Sequence, residues 1–151
     1  MELDPQVLHV AIRWAHVAAM ATAFGGAITV LAQATRPAGD PASAVLSVAI
    51  RYEWMFWAAA GVLVMTGIGN LAAFGADLSA PSTPWGTTLE LKLGSVLALV
   101  ILSLPRTLAV ARMSHAAGTT PPTIVRLRNL YGATTAAFAV ILGLAIWLAH
   151  W

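Results

Sequence analysis

The chain has 151 residues, of which 59% are hydrophobic and 9% charged, against about 25% charged in ordinary soluble domains. So few charges cannot cover the surface of a water-soluble globule of this length, which makes lipid the expected solvent. A formal net charge of +2 leaves no electrostatic footprint for a nucleic-acid partner, and the lack of cysteine removes disulfides, thiolate metal sites and cysteine nucleophiles.

In chain order, residues 14 to 35 carry no formal charge and predict a first membrane-spanning helix over about residues 6–33. A spanning helix needs roughly 20 apolar residues. Glu2 and Asp4 precede it where a signal peptide would be basic, so helix one is expected to be retained. Residues 54 to 76 predict a second span, within a helix over about 45–75. The stretch from Leu89 to Val110 predicts a third, over about 88–112, although Glu90, Lys92, Pro105 and Arg106 interrupt it. The run from Asn129 to Trp151 predicts a fourth, over about 123–151. Turn-rich segments at 36–41, 79–86 and 118–122 separate them. The expected fold is an all-α integral membrane protein, a single up-down bundle of four transmembrane helices.

Arg36, Arg51, Arg106, Arg112, Arg126 and Arg128 flank the first and third connections, while the other side holds Arg13 and Lys92. By the positive-inside rule both termini then face outward, into the periplasm for a bacterial inner-membrane protein. Ala15, Ala19, Ala23 and Ala27 form a rail of small residues on helix one beside Gly25 and Gly26, suited to close helix packing.

An ionisable group inside a membrane costs about 2.5 kcal/mol or more at a helix centre, so each needs a partner or a purpose. His9, Arg13, His16 and Met20 fall within an arc of roughly 60° on helix one and are expected to face the bundle interior. His16 is the deepest histidine. Its imidazole suits an axial position on haem iron or a copper ion; packing through a hydrogen bond is the alternative. Lys92, the sole lysine, enters from the same side, either to snorkel toward headgroups or to serve a site. His150 or His9 would supply a second axial ligand for a b-type haem, unless both are simply wet. Arg51, Tyr52 and Glu53 open helix two and Arg126, Arg128 and Asn129 open helix four, where they set topology and form an ion pair or clamp a carboxylate such as a porphyrin propionate. The methionines are scattered, without a thioether cage for Cu(I).

Arg13-Trp14-Ala15-His16, Leu91-Lys92-Leu93 and Arg126-Leu127-Arg128-Asn129 resemble, in order and spacing, the HemJ-type protoporphyrinogen oxidases. The same layout is similar to the related CopD-type copper-resistance membrane domains. The first resemblance implies haem b, with His16 and Lys92 as functional residues, and transfer of hydrogens from protoporphyrinogen to a quinone or a respiratory chain. The acidic residue and proline that follow the asparagine in that family are absent: Leu130 follows Asn129, and Gly132 stands where the proline would be. The second resemblance implies copper transport or tolerance, with His9, His16 and Met20 as ligands. The leading expectation is a haem b redox protein with His16, His9, His150, Arg126 and Asn129 around the cofactor and Lys92 and Arg13 in catalytic roles. Copper handling is the alternative, and a non-catalytic subunit of a larger membrane complex, or a homo-oligomer, is a third reading.

Overall fold

The computed structural model describes residues 4–36, 42–74, 83–115, 121–148 and 150. Four helices account for nearly all of them: α1 (Pro5–Thr35), α2 (Ala42–Phe74), α3 (Pro84–His115) and α4 (Pro121–Leu148). Each is long and apolar enough to cross a membrane. The protein is an all-α integral membrane protein built as a four-helix bundle, as composition and the charge-free runs predict. Of the three turn-rich segments, residues 37–41, 79–82 and 118–120 lie outside the described residues.

Local chemistry sets the helix ends. Asp4 caps α1 by accepting a hydrogen bond from the Gln6 backbone N–H at 2.9 Å, and Pro5 fills the first turn, where its missing N–H costs nothing. Arg36 ends the helix in an extended conformation, the geometry that a following proline imposes. At α3, Thr83 accepts from the Gly86 N–H at 3.1 Å and Pro84 takes the first position. Proline also opens α4.

Two boundaries differ from expectation with consequences. Helix α2 begins at Ala42, so Arg51, Tyr52 and Glu53 stand about two and a half turns inside it rather than at its opening. Helix α3 begins at Pro84 and runs straight through Pro105. The Ser103 hydroxyl, two residues before that proline, bonds back to Leu99 O at 2.7 Å. Such side-chain bonds help a membrane helix tolerate an internal proline.

Helix α1 packs on α2 and α4, and α3 packs on α4 and α2, so α1 and α3 occupy opposite corners without meeting. Packing is uneven along the axis. Most buried residues lie at 19–34 of α1, 45–59 of α2, 99–110 of α3 and 127–141 of α4, which together form one half of the bundle; Gly86 and Thr88, in the first turns of α3, are buried at the opposite end. In the other half no described residue is buried over 6–18, 60–69, 89–98 or 142–148.

The alanine rail is the α1 face of that core: Ala19, Ala23 and Ala27 are buried, and Val30 and Ala34 continue it. Gly26 lies against the ring of Tyr52, where a Cβ would stand 2.6 Å from Cδ2, whereas Gly25 has nothing within 4 Å of the same position. The Tyr52 ring cannot swing away, because its hydroxyl donates to Ala23 O at 3.0 Å and Phe56 and Tyr131 pack beside it. Gly26→Ala is therefore expected to lower stability by about 1–3 kcal/mol through overpacking. Gly25→Ala should be tolerated, with both read from thermal unfolding of the detergent-purified protein.

Candidate functional site

Polar side chains inside the bundle fall into two layers. The first lies in the loosely packed half. His16, about three turns into α1, places Nδ1 2.8 Å from Thr66 Oγ1 of α2. The Thr66 hydroxyl has one proton, which it gives to Val62 O at 2.6 Å. His16 Nδ1–H is then the donor to Thr66, and the Nε2 lone pair stays free. Gly67 keeps the α2 backbone low beneath the ring, its Cβ position lying 3.9 Å from His16 Cε1, and Gly69 does the same for Ile12 at 3.6 Å. From the opposite corner, half-buried Lys92 of α3 lies within electrostatic range of His16.

The other residues singled out in the sequence are distributed as follows. His9 is half-buried nearer the start of α1, and Met20 is half-buried one turn beyond His16, packed against the core. Arg13 is exposed, which corrects the expectation that the whole helix-one stripe faces inward. Its long side chain reaches out of the bundle while the shorter imidazole of His16 stays inside. His150 is exposed in a turn after α4, its N–H bonded to Trp147 O at 3.2 Å. Arg126 and Asn129 are exposed in the first turns of α4, in the half of the bundle opposite His16. Thus His16 and Thr66 come together, with Lys92 on the opposite corner at a similar depth, and Arg126 and Asn129 do not join them. Among the described residues no group of three histidine or carboxylate side chains is placed to hold a metal ion.

The second layer lies in the tightly packed half and centres on Glu53 of α2 and Arg106 of α3, 5% and 2% exposed. Arg106 Nε donates to Glu53 Oε1 at 2.8 Å and Nη2 to Oε2 at 3.1 Å, a two-point pairing. Its Nη1 donates to Thr134 Oγ1 of α4 at 3.1 Å. Tyr131 of α4 donates to Glu53 Oε1 at 2.6 Å, and Thr107 donates to Oε2. The Trp57 indole N–H in turn reaches Thr107 at 3.0 Å. The Arg106 Cζ sits 4.4 Å from the centre of the Phe56 ring, with Tyr52 and Tyr131 at 5.3 and 5.5 Å. Aromatic faces favour a cation in such a cage.

Sequence reasoning treats Glu53 as part of a helix opening and Arg106 as a topology-setting residue, and it does not single out Thr107, Tyr131 or Thr134. A usable signal was present. Glu53 follows the start of its helix by about as many residues as Arg106 precedes the end of the next, so antiparallel packing puts the two charges at one depth. Tyr131 and Thr134, three apart, share one face of α4.

The family model described as copper resistance protein D matches residues 46–148. The match takes in most of α2, all of α3 and all of α4, hence Thr66, Lys92 and the entire Glu53–Arg106 layer, and it excludes α1 with His16. No curated protein and no solved structure matches the chain.

Removing one member of a buried ion pair strands the other charge, at a cost of about 3–5 kcal/mol, whereas replacing both with apolar groups is often close to neutral. Glu53→Ala and Arg106→Ala should each destabilise by that amount. The combined change Glu53→Leu with Arg106→Met should cost far less than their sum, a comparison made by unfolding the three variants in detergent.

Proposed function

The chain belongs to the copper resistance protein D family, and we propose that it handles copper within the membrane, with His16 as the residue that meets the ion. The family match carries this reading. The geometry at His16 supplies what a copper ion requires of this chain: an imidazole fixed in one tautomer by a hydrogen bond at Nδ1, with Nε2 free to coordinate. Histidine ligands are commonly held in this manner by an outer partner. Met20, one turn further along α1, adds a thioether, and soft ligands of that kind favour Cu(I). His9 is the remaining imidazole on that helix. Copper here is cargo, and Lys92 opposes its charge.

The same reading places the protein in a bacterial inner membrane. Arg51, Arg112, Arg126 and Arg128 are all exposed at the end of the bundle near Glu53, which fits that end to the cytoplasm and both termini to the periplasm. Haem b has less behind it. The family match points to copper, and the exposed position of His150 offers no pairing with His16 across the bundle.

In detergent under reducing conditions, purified protein should bind Cu(I). His16→Ala should lose at least tenfold in affinity, and Thr66→Val, which frees the ring without removing it, roughly 10–100-fold. Lys92→Gln should strengthen binding by removing a like charge. Unchanged affinity in His16→Ala would remove the site assignment. A dithionite-reduced minus oxidised spectrum of the same sample tests haem directly, since a b-type signal near one per chain would displace copper.

A further inference from the structure

The Glu53–Arg106 layer takes no part in holding an ion at His16. Thirteen residues separate Thr66 from Glu53 on α2, about 20 Å at 1.5 Å per residue. Between the two layers lie the rings of Phe24, Phe56 and Phe138, in tilted and edge-on contact at 5.8 and 6.4 Å. A charge pair inside a membrane is costly and marks a position that needs a partner or a purpose.

What the layer does mechanically is specific. It joins α2 to α3 through Glu53 and Arg106, α2 to α4 through Tyr131, and α3 to α4 through Thr134. Tyr52, packed against the same guanidinium, ties α2 to α1 through Ala23 O. All four helices are thus locked at one level. In the His16 half the His16–Thr66 bond joins α1 to α2, while α3 is buried only at Gly86 and Thr88 in its first turns and at no residue from 89 to 98. One half is closed and the other is loose.

We propose that the Glu53–Arg106 pair is the latch of a two-state bundle, holding the Glu53 half closed while the His16 half stands open, so that its release exchanges the two and lets an ion taken up beside His16 cross. A cation suits this release. Arriving at the Glu53 carboxylate it replaces the guanidinium without leaving that carboxylate uncompensated, and Arg106 keeps Thr134 and the Phe56 face as partners. That the ion is copper rests on the preceding reading, but the latch does not.

The absence of cysteine makes single-cysteine labelling clean. Gly67→Cys reports on the open half, where the added group meets His16 only at van der Waals distance. Ser103→Cys, nearly isosteric and buried beside the latch, reports on the closed half. Sealed vesicles are treated with a membrane-impermeant cationic methanethiosulfonate from either side. With the latch intact, Gly67→Cys should label from one side and Ser103→Cys from neither. Adding Glu53→Gln should raise Ser103→Cys labelling at least tenfold from the side that carries Arg51 and lower Gly67→Cys labelling from the other side. Arg106→Lys, which keeps the charge but loses the two-point pairing, should move both rates in the same directions to a smaller extent, and serves if Glu53→Gln does not fold.

The reciprocal change is what matters. A pair that only stabilises the fold would raise both rates or leave both unchanged, and either pattern would overturn the latch. No copper is present, so the two readings separate. Reciprocal labelling in a protein that binds no copper keeps the latch and removes the cargo assignment, whereas copper binding without reciprocal labelling removes the latch alone.

Discussion

A guanidinium in the membrane-spanning part of a helix has to be matched, and the packing of the tight half of this bundle follows from how Arg106 is matched. Its fork takes Glu53 from α2 and Thr134 from α4, which fixes the rotation of three helices about their axes. Glu53 then needs its remaining lone pairs filled, and Tyr131 and Thr107 fill them. The aromatic faces around Arg106 bring Tyr52 inward, and its hydroxyl reaches the α1 backbone at Ala23. That reach requires α1 to lie close, which is why Gly26 has no side chain and why alanines flank it. In lipid, where apolar burial gives helices little reason to associate, close packing and hydrogen bonds of this kind set the arrangement.

Much of the fold was legible because charge is so scarce in this sequence. Runs of about twenty uncharged residues can form only a few structures in lipid, so the four spans follow directly, and the alanine rail correctly marks the buried face of α1. Helix starts were less legible. Ala42 and Pro84 begin their helices earlier than the apolar runs suggest, since small and capping residues at an interface carry no hydropathy signal. Glu53 reads as part of a helix opening because the charge-free run begins just after it, at residue 54, although a helix starting at 42 buries it about three turns deep. Reading Arg106 through the positive-inside rule had the same effect, because the rule counts arginines near helix ends and Arg106 stands more than two turns inside α3. Thr107 and Thr134 were invisible for a different reason: Ser and Thr hydroxyls on a membrane helix ordinarily satisfy themselves on the preceding turn, and the cross-helix partners of these two and of Tyr131 appear only when helices are paired.

At the other layer the sequence was more informative about which residues than about where they point. His16 and Lys92 share a depth because α1 and α3 enter from the same end, and the structure places them within electrostatic range across opposite corners. Arg13 lies on the same arc as His16 but turns outward, since a long flexible stem can escape a site that a short imidazole cannot. Arg126 and Asn129 belong to the far half simply because α4 runs antiparallel to α3. The family match follows this division: it covers α2 to α4 and stops short of the helix that bears His16.

The two layers also differ in their charge balance, and that bears on which ion the copper reading admits. At Glu53 the cation is matched by a carboxylate. At His16 the nearby charge is the ammonium of Lys92, while Glu90, two residues before it, is exposed and points away from the interior. An ion coordinated by His16 Nε2 therefore enters beside a positive charge, and the Coulomb cost of that neighbour is twice as large for a divalent ion as for a monovalent one at the same distance. An imidazole and a thioether add no negative charge to offset it. On the copper reading, the layer thus disfavours Cu(II) on electrostatic grounds and, through Met20, favours Cu(I) on grounds of ligand softness.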